Sequence, residues 1–139
     1  QDEAHRRRLQ NVTFVDTVPK DEVARYWSLL DVSIIHLRKT ELFTTVIPSK
    51  LFECMGMGLP VLHGVAGESA DMVCAENVGI VFEPENAEEL VTQMKVLKND
   101  RSRYEIYRAN SLVAARKYDR TALAMEMLAL LDKLVAGRA

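Results

Sequence analysis

Cysteine is scarce in this chain: two residues, Cys54 and Cys74, in 139, both in helix-like stretches. That number, with no metal-ligand spacing around either thiol, excludes a disulfide-stapled scaffold and a zinc ribbon. It fits a reduced intracellular protein with small buried thiols and no cofactor. Long apolar runs are also missing. None approaches the roughly 18 residues of a membrane span, and Gln1-Asp2-Glu3 does not open a signal peptide, so a cytoplasmic location is expected. Neither sign of charge dominates: 18 basic residues face 20 acidic ones for a net charge of −2. Without a basic footprint, nucleic acid is not an expected partner. Internal repeats, low-complexity segments, a nucleophile elbow and a Walker lysine motif are all absent.

What is present is a globular composition, 48% hydrophobic and 27% charged. At this length one domain, 1–139, can bury a real core. The charged lead-in QDEAHRRRLQ carries no apolar stripe, and its three arginines beside two acids suit a solvated face. Four runs read as short strands: Val12–Val15, Val32–Leu37, Val61–His63 and Ile80–Phe82. Between them, Val23, Tyr26, Trp27 and Leu30 fall at helical spacing, and a short helix is expected from Ser69 to Ala75. Asn86 followed by Glu89 has the pattern of a capping box, opening a helix that buries Leu90, Val91, Met94 and Leu97. Two further helices occupy about 100–136, the last capped by Asp119 and striped by Leu123, Met127, Leu130, Leu131 and Leu134.

Strands alternating with helices imply parallel β-α-β units with right-handed crossovers, a Rossmann-like doubly wound α/β sheet. Four strands are few for this class, and the chain opens just before a strand. A domain lacking its first strands is therefore expected.

The chain is organised around Ile47-Pro48-Ser49-Lys50-Leu51-Phe52-Glu53-Cys54-Met55-Gly56-Met57-Gly58-Leu59-Pro60. Ser49 suits an N-cap, Gly58 suits the left-handed residue beyond a helix end, and Pro60 forbids resumption. In open parallel sheets ligands bind beyond the carboxyl ends of the strands, where the loops 16–19, 38–50 and 64–68 fall. The amides of Ser49, Lys50 and Leu51 open the helix without intrahelical acceptors and invite an anion. Lys50 in the first turn opposes the helix dipole, which an anionic ligand would reverse; a lysine reaching solvent or Glu53 is the alternative. Glu53 misses the capping-box position by one residue, so its carboxylate is free to accept a vicinal diol such as ribose. Its apolar neighbours Phe52, Cys54 and Met55 predict partial burial. Gly64 and Gly67 mark a loop that can admit a ligand to the backbone. His36 and His63 end strands at the same edge, as acid–base groups or as polar caps of the sheet.

Taken in order, Asn11-Val12-Thr13-Phe14, Asp31-Val32-Ser33-Ile34, Pro48-Ser49-Lys50-Leu51-Phe52-Glu53, Gly58-Leu59-Pro60-Val61 and Gly79-Ile80-Val81-Phe82 resemble glycosyltransferase family 4. The likeness is to the nucleotide-sugar-binding C-terminal domain of that GT-B-fold family, from about Asn11 onward. The resemblance implies a nucleoside-diphosphate sugar as donor. It implies amides of Ser49, Lys50 and Leu51 at the diphosphate, Glu53 at the ribose and the loop Thr17-Val18-Pro19 on the nucleobase side. Many members carry a second glutamate eight positions earlier, at the transferred sugar; Thr45 stands there, with Gly64 and Gly67 as the other sugar-side positions. The Pro-Ser-Lys form resembles a subgroup linked to cell-surface polysaccharides. The family's diphosphate-neutralising Arg and Lys, and its acceptor-binding N-terminal domain, have no counterpart in this sequence, and no catalytic residue is assigned.

The resemblance thus implies the donor half of a transferase acting on a carbohydrate or lipid-linked acceptor. The fragment is expected to be inactive alone, and the full-length protein to touch the cytoplasmic face of a membrane. Two other readings stay open. A nucleotide-sugar epimerase would draw acid–base residues from His36, His63 and Glu68, and a flavodoxin-like regulatory domain would leave Glu53 dispensable.

Overall fold

The computed structural model describes residues 1–137. The elements in order are α1 (Asp2–Arg6), α2 (Val23–Trp27), β1 (Ser33–His36), α3 (Glu41–Thr44), α4 (Ser49–Gly56), β2 (Val61–Gly64), α5 (Glu68–Glu76), β3 (Gly79–Val81), α6 (Ala87–Asn99), α7 (Arg101–Lys117) and α8 (Arg120–Ala136). The strands form one parallel sheet in the order β1-β2-β3, with Ser33 opposite Val61 and Val61 opposite Gly79.

Parallel strands need both faces covered, and this sheet has two apolar layers. On one face α4, α5 and α7 bury Leu51, Cys54, Met55, Val73 and Ala114 against Ile35 and Val61. On the other, Leu97 of α6 and Tyr107 of α7 close over Leu62 and Phe82. The result is a partial Rossmann-like doubly wound sheet. Leu51 and Met55 lose all solvent contact, each worth about 2 kcal/mol of apolar transfer.

The end of α4 follows its residues closely. Gly58 adopts φ +64°, the Gly58 N–H donates to the Met55 carbonyl, and the Leu59 N–H reaches back to the Cys54 carbonyl. These are the paired bonds of a Schellman stop, and they turn the chain straight into β2. Asn86, Asp100 and Asp119 cap α6, α7 and α8, each accepting from the backbone N–H three residues on. The expected reciprocity at Asn86 is altered: Glu89 Oε2 accepts from the Glu83 N–H and the Asn86 side-chain amide, not from the Asn86 backbone.

Several expectations fail on packing. The first expected strand, Val12–Val15, does not form: the segment pairs with no neighbour among the described residues, and Val12, Phe14 and Val15 are exposed. β-propensity measures fit to a pleated neighbour, and none lies beside this run. Val91 and Met94 are half exposed because α6 overlies β2 and leaves the β1 side bare, where Ile34 is also exposed. Cys74 is exposed although Cys54 is buried. The helix expected to carry Val23, Tyr26, Trp27 and Leu30 spans only Val23–Trp27, and Tyr26 and Leu30 are exposed. In α8 the apolar stripe is present, yet no residue of the helix is buried.

Candidate nucleotide-sugar site

The site is built on the two faces of α4. Leu51, Cys54 and Met55 point into the core. Burial raises the Cys54 thiol above its ordinary range, which makes it an inert packing group. The opposite face presents Ser49, Phe52, Glu53, Gly56 and Met57, at helical spacing, to an open groove of about 810 Å³. Its far walls come from Lys20 and Trp27, around α2, and from Tyr118 and Arg120, where α7 gives way to α8.

At the helix start the cap residue is Pro48, in extended conformation, and Ser49 is the first helical residue; Ser49 makes no capping bond. The ψ of Pro48, 128°, folds its carbonyl over the third residue of the helix, and the Leu51 N–H donates to it at 2.9 Å. Leu51 is therefore already satisfied. Ser49 and Lys50 keep amides with no acceptor among the described residues.

Glu53 is exposed, and no hydrogen bond or ion pair among the described residues engages it. Partial burial was expected from its neighbours, but Cys54 and Met55 turn to the core side of the helix and leave Glu53 on the groove side. The carboxylate is thus exposed and uncommitted. Of the loop Thr17-Val18-Pro19, the structure shows Pro19 accepting from the Glu22 N–H as the chain turns into α2, and it is the next residue, Lys20, that lines the groove.

The sugar-side positions lie elsewhere. A smaller cleft of about 260 Å³ opens between Arg38, Lys39, Phe43, Thr44, Ala66 and Pro84. Thr45 borders it in sequence, with its hydroxyl donating to the Leu42 carbonyl at 3.4 Å. Gly67 has φ +82°, and a Cβ there would lie 2.0 Å from the Thr44 carbonyl oxygen. A Cβ on Gly64 would lie 2.4 Å from the Phe82 ring. Both glycines thus have packing reasons to be glycine. Neither they nor Thr45 line the Glu53 groove.

The two strand-end histidines differ. His36 stacks on Phe82 at 6.3 Å between centroids, and its Nε2 accepts from the Glu85 N–H at 3.0 Å, fixing the β3–α6 loop. His63 is fully buried, its Nε2 2.9 Å from the Ser69 hydroxyl and its Nδ1 without a partner. Burial alone pushes its pKa down to about 4, so it stays neutral. Neither histidine lines the groove, and Glu68 opens α5 away from it. An apolar cavity of about 430 Å³, floored by Ile34, Leu62 and Met94, lies over the other face of the sheet, remote from the open amides.

Sequence reasoning did not place Lys20, Trp27, Tyr118 or Arg120 at the site. Their convergence is tertiary. Leu112 packs on Gly58 at the end of α4, while the rings of Phe52 and Tyr118 meet at 5.4 Å nearer its start. So α7 runs toward the start of α4 and delivers Arg120 there.

Residues 1–100 match the family model described as glycosyl transferases group 1. Among curated proteins, the chain is similar to the sulfoquinovosyl transferase SQD2 of Arabidopsis thaliana, with 28% identity over 109 residues. That alignment covers 76% of this chain and 20% of the plant protein. The chain therefore spans about a fifth of the length of the curated relative it matches. No solved structure matches the chain.

Proposed function

The chain belongs to the group 1 glycosyltransferases, and from that premise we propose that it is the donor-binding half of such an enzyme. In this reading the chain, as one nucleotide-sugar-binding unit, holds a nucleoside-diphosphate sugar for transfer to a carbohydrate or lipid-linked acceptor. The observation that carries it is Glu53: an exposed carboxylate on the groove face of α4, unpaired among the described residues, one turn from the Ser49 and Lys50 amides that find no acceptor there.

The chemistry follows from charge. Breaking the glycosyl–phosphate bond leaves negative charge on the departing diphosphate, and preorganised dipoles at a helix start stabilise it. The Ser49 and Lys50 amides face that charge. The two oxygens of Glu53 accept from the two hydroxyls of the ribose. The Thr17–Pro19 loop serves the nucleobase side, and Thr45, Gly64 and Gly67 the sugar side. An acceptor-binding N-terminal domain completes the enzyme, which acts in cell-surface polysaccharide synthesis at the cytoplasmic face of a membrane. The plant relative is by name a transferase of a sugar, which supports the class of reaction and leaves the sugar of this chain open.

Calorimetric titration of uridine, guanosine and adenosine diphosphates and their sugars tests the reading. One of them should bind, and Glu53→Ala should abolish that binding with the circular dichroism spectrum unchanged. Failure of the full-length protein to bind any of them rejects it.

A further inference from the structure

The last helix is apolar and uncovered. α8 runs for 17 residues, and among the described residues it buries none of its own. Leu123, Met127, Leu130 and Leu134 are spaced by four, three and four positions, the heptad step of a seam that meets a second helix. These four side chains are 45–64% exposed. Leu128, Leu131 and Val135, also exposed, widen the seam on one flank. Glu126 and Lys133 border it on the other flank, and Asp132 stands behind. A lipid surface would call for a basic excess, but α8 carries two cations, Arg120 and Lys133, against two anions, Glu126 and Asp132.

We propose that a second copy of this chain covers the seam, its α8 lying antiparallel to the first across a twofold axis. Charge decides both the partner and the direction. With the seam residues as core layers, antiparallel packing sets Leu123 against the partner's Leu134 and Met127 against the partner's Leu130. In that register Glu126 falls beside the partner's Lys133, and the twofold axis repeats the pair, so both flanking charges are met. A parallel pair would set Glu126 beside the partner's Leu131 and leave the acid unmatched. The contact uses the same patch on both protomers, so it closes at a dimer. A helix of 17 residues is about 25 Å long, and four core layers over that length support a weak dimer, with a Kd of about 10 µM. The inference is independent of the donor-site reading, because the groove meets α8 only at Arg120.

Sedimentation velocity of the 139-residue chain in low salt, from about 1 to about 100 µM, reads the dimer directly. Leu130→Glu, in the seam, should leave the chain monomeric throughout. Met125→Glu, on the opposite side of α8 and 61% exposed, should dimerise as wild type does. Neither side chain is buried, so circular dichroism should be unchanged in both. Glu126→Lys and Lys133→Glu should each weaken the dimer about tenfold at low salt. An equimolar mixture of those two variants should associate like wild type, because each then offers the charge that the other lacks. A wild-type chain that stays monomeric at about 100 µM overturns the proposal. So does a monomer that sediments with vesicles of phosphatidylcholine and phosphatidylglycerol, which gives the face to a lipid surface. A dimer that survives Leu130→Glu lies elsewhere on the molecule, and a charge mixture that does not recover removes the antiparallel pairing; either result also overturns it.

Discussion

Neutral His63 should make this fold sensitive to mild acid. The ring is fully buried on β2, is bonded only to Ser69, and has a pKa near 4 in the folded chain against 6.5 unfolded. Below 6.5 the unfolded chain takes up a proton that the folded chain refuses, so stability falls as the pH drops from 6.5 toward 4 and is complete above that range. Integrated from pH 7 to pH 5, this one group removes roughly 2 kcal/mol. The lower limit of pH 5 keeps the ordinary carboxylates out of the window. Urea unfolding at the two pH values, for the wild type and for His63→Leu combined with Ser69→Ala, isolates the effect. His5 and His36 remain in both proteins and cancel in the difference. The double substitution removes donor and acceptor together and also deletes the orphan Nδ1, so its stability at pH 7 should lie close to wild type. Wild type should lose about 2 kcal/mol more than the variant between pH 7 and pH 5. Equal losses would refute the argument that burial of an uncharged imidazole sets this sensitivity.

Gly67 and Gly58 both have positive φ but should respond differently to alanine. At Gly67 the φ/ψ pair of +82°/−146° belongs almost to glycine alone and the Thr44 carbonyl fills the Cβ position, so Gly67→Ala should cost about 3 kcal/mol or more in denaturant unfolding. At Gly58 the nearest atoms are the movable tip of Leu112 at 3.1 Å, and Gly58→Ala should cost only about 1–2 kcal/mol; a reversed order would discount the close backbone approach at Gly67. The 139-residue chain by itself, about a fifth of the length of the curated relative it matches, should bind donor weakly and turn over no nucleotide sugar. Release of nucleoside diphosphate from a sugar donor by this chain, followed by chromatography, would sink that expectation.

Much of the fold was legible because its signals are local. The Gly58–Pro60 stop, the Asn86 and Asp119 caps and the strands around Ile34, Leu62 and Ile80 all rest on residues within a few positions of each other. Val12–Val15 looked equally strand-like, but its state depends on a neighbour that no local pattern reveals. The same division runs through the site. The exposed face of α4 follows from the spacing of Ser49 and Glu53, and the free carboxylate from its offset to the capping box. Two details did not follow. Pro48 takes the cap position in place of Ser49 and occupies the Leu51 amide, a matter of one ψ angle. Lys20 and Arg120 reach the groove only because α7 crosses α4 between Gly58 and Phe52, a packing event between distant segments.

The residues singled out by type therefore sort by whether the fold already occupies them. His63 is held by Ser69, His36 by Glu85, Gly64 by Phe82 and Gly67 by Thr44. Substituting any of these disturbs packing first, so lost activity in such variants cannot be assigned to chemistry without a stability measurement beside it. Glu53, Lys20 and Arg120 have no such employment: they are exposed and make no ion pair or side-chain hydrogen bond among the described residues. Surface substitutions of that kind move stability by about half a kcal/mol at most. A binding defect at any of the three, with unfolding unchanged, is therefore attributable to ligand contact alone, which makes this groove the part of the molecule where function can be measured without confounding by the fold.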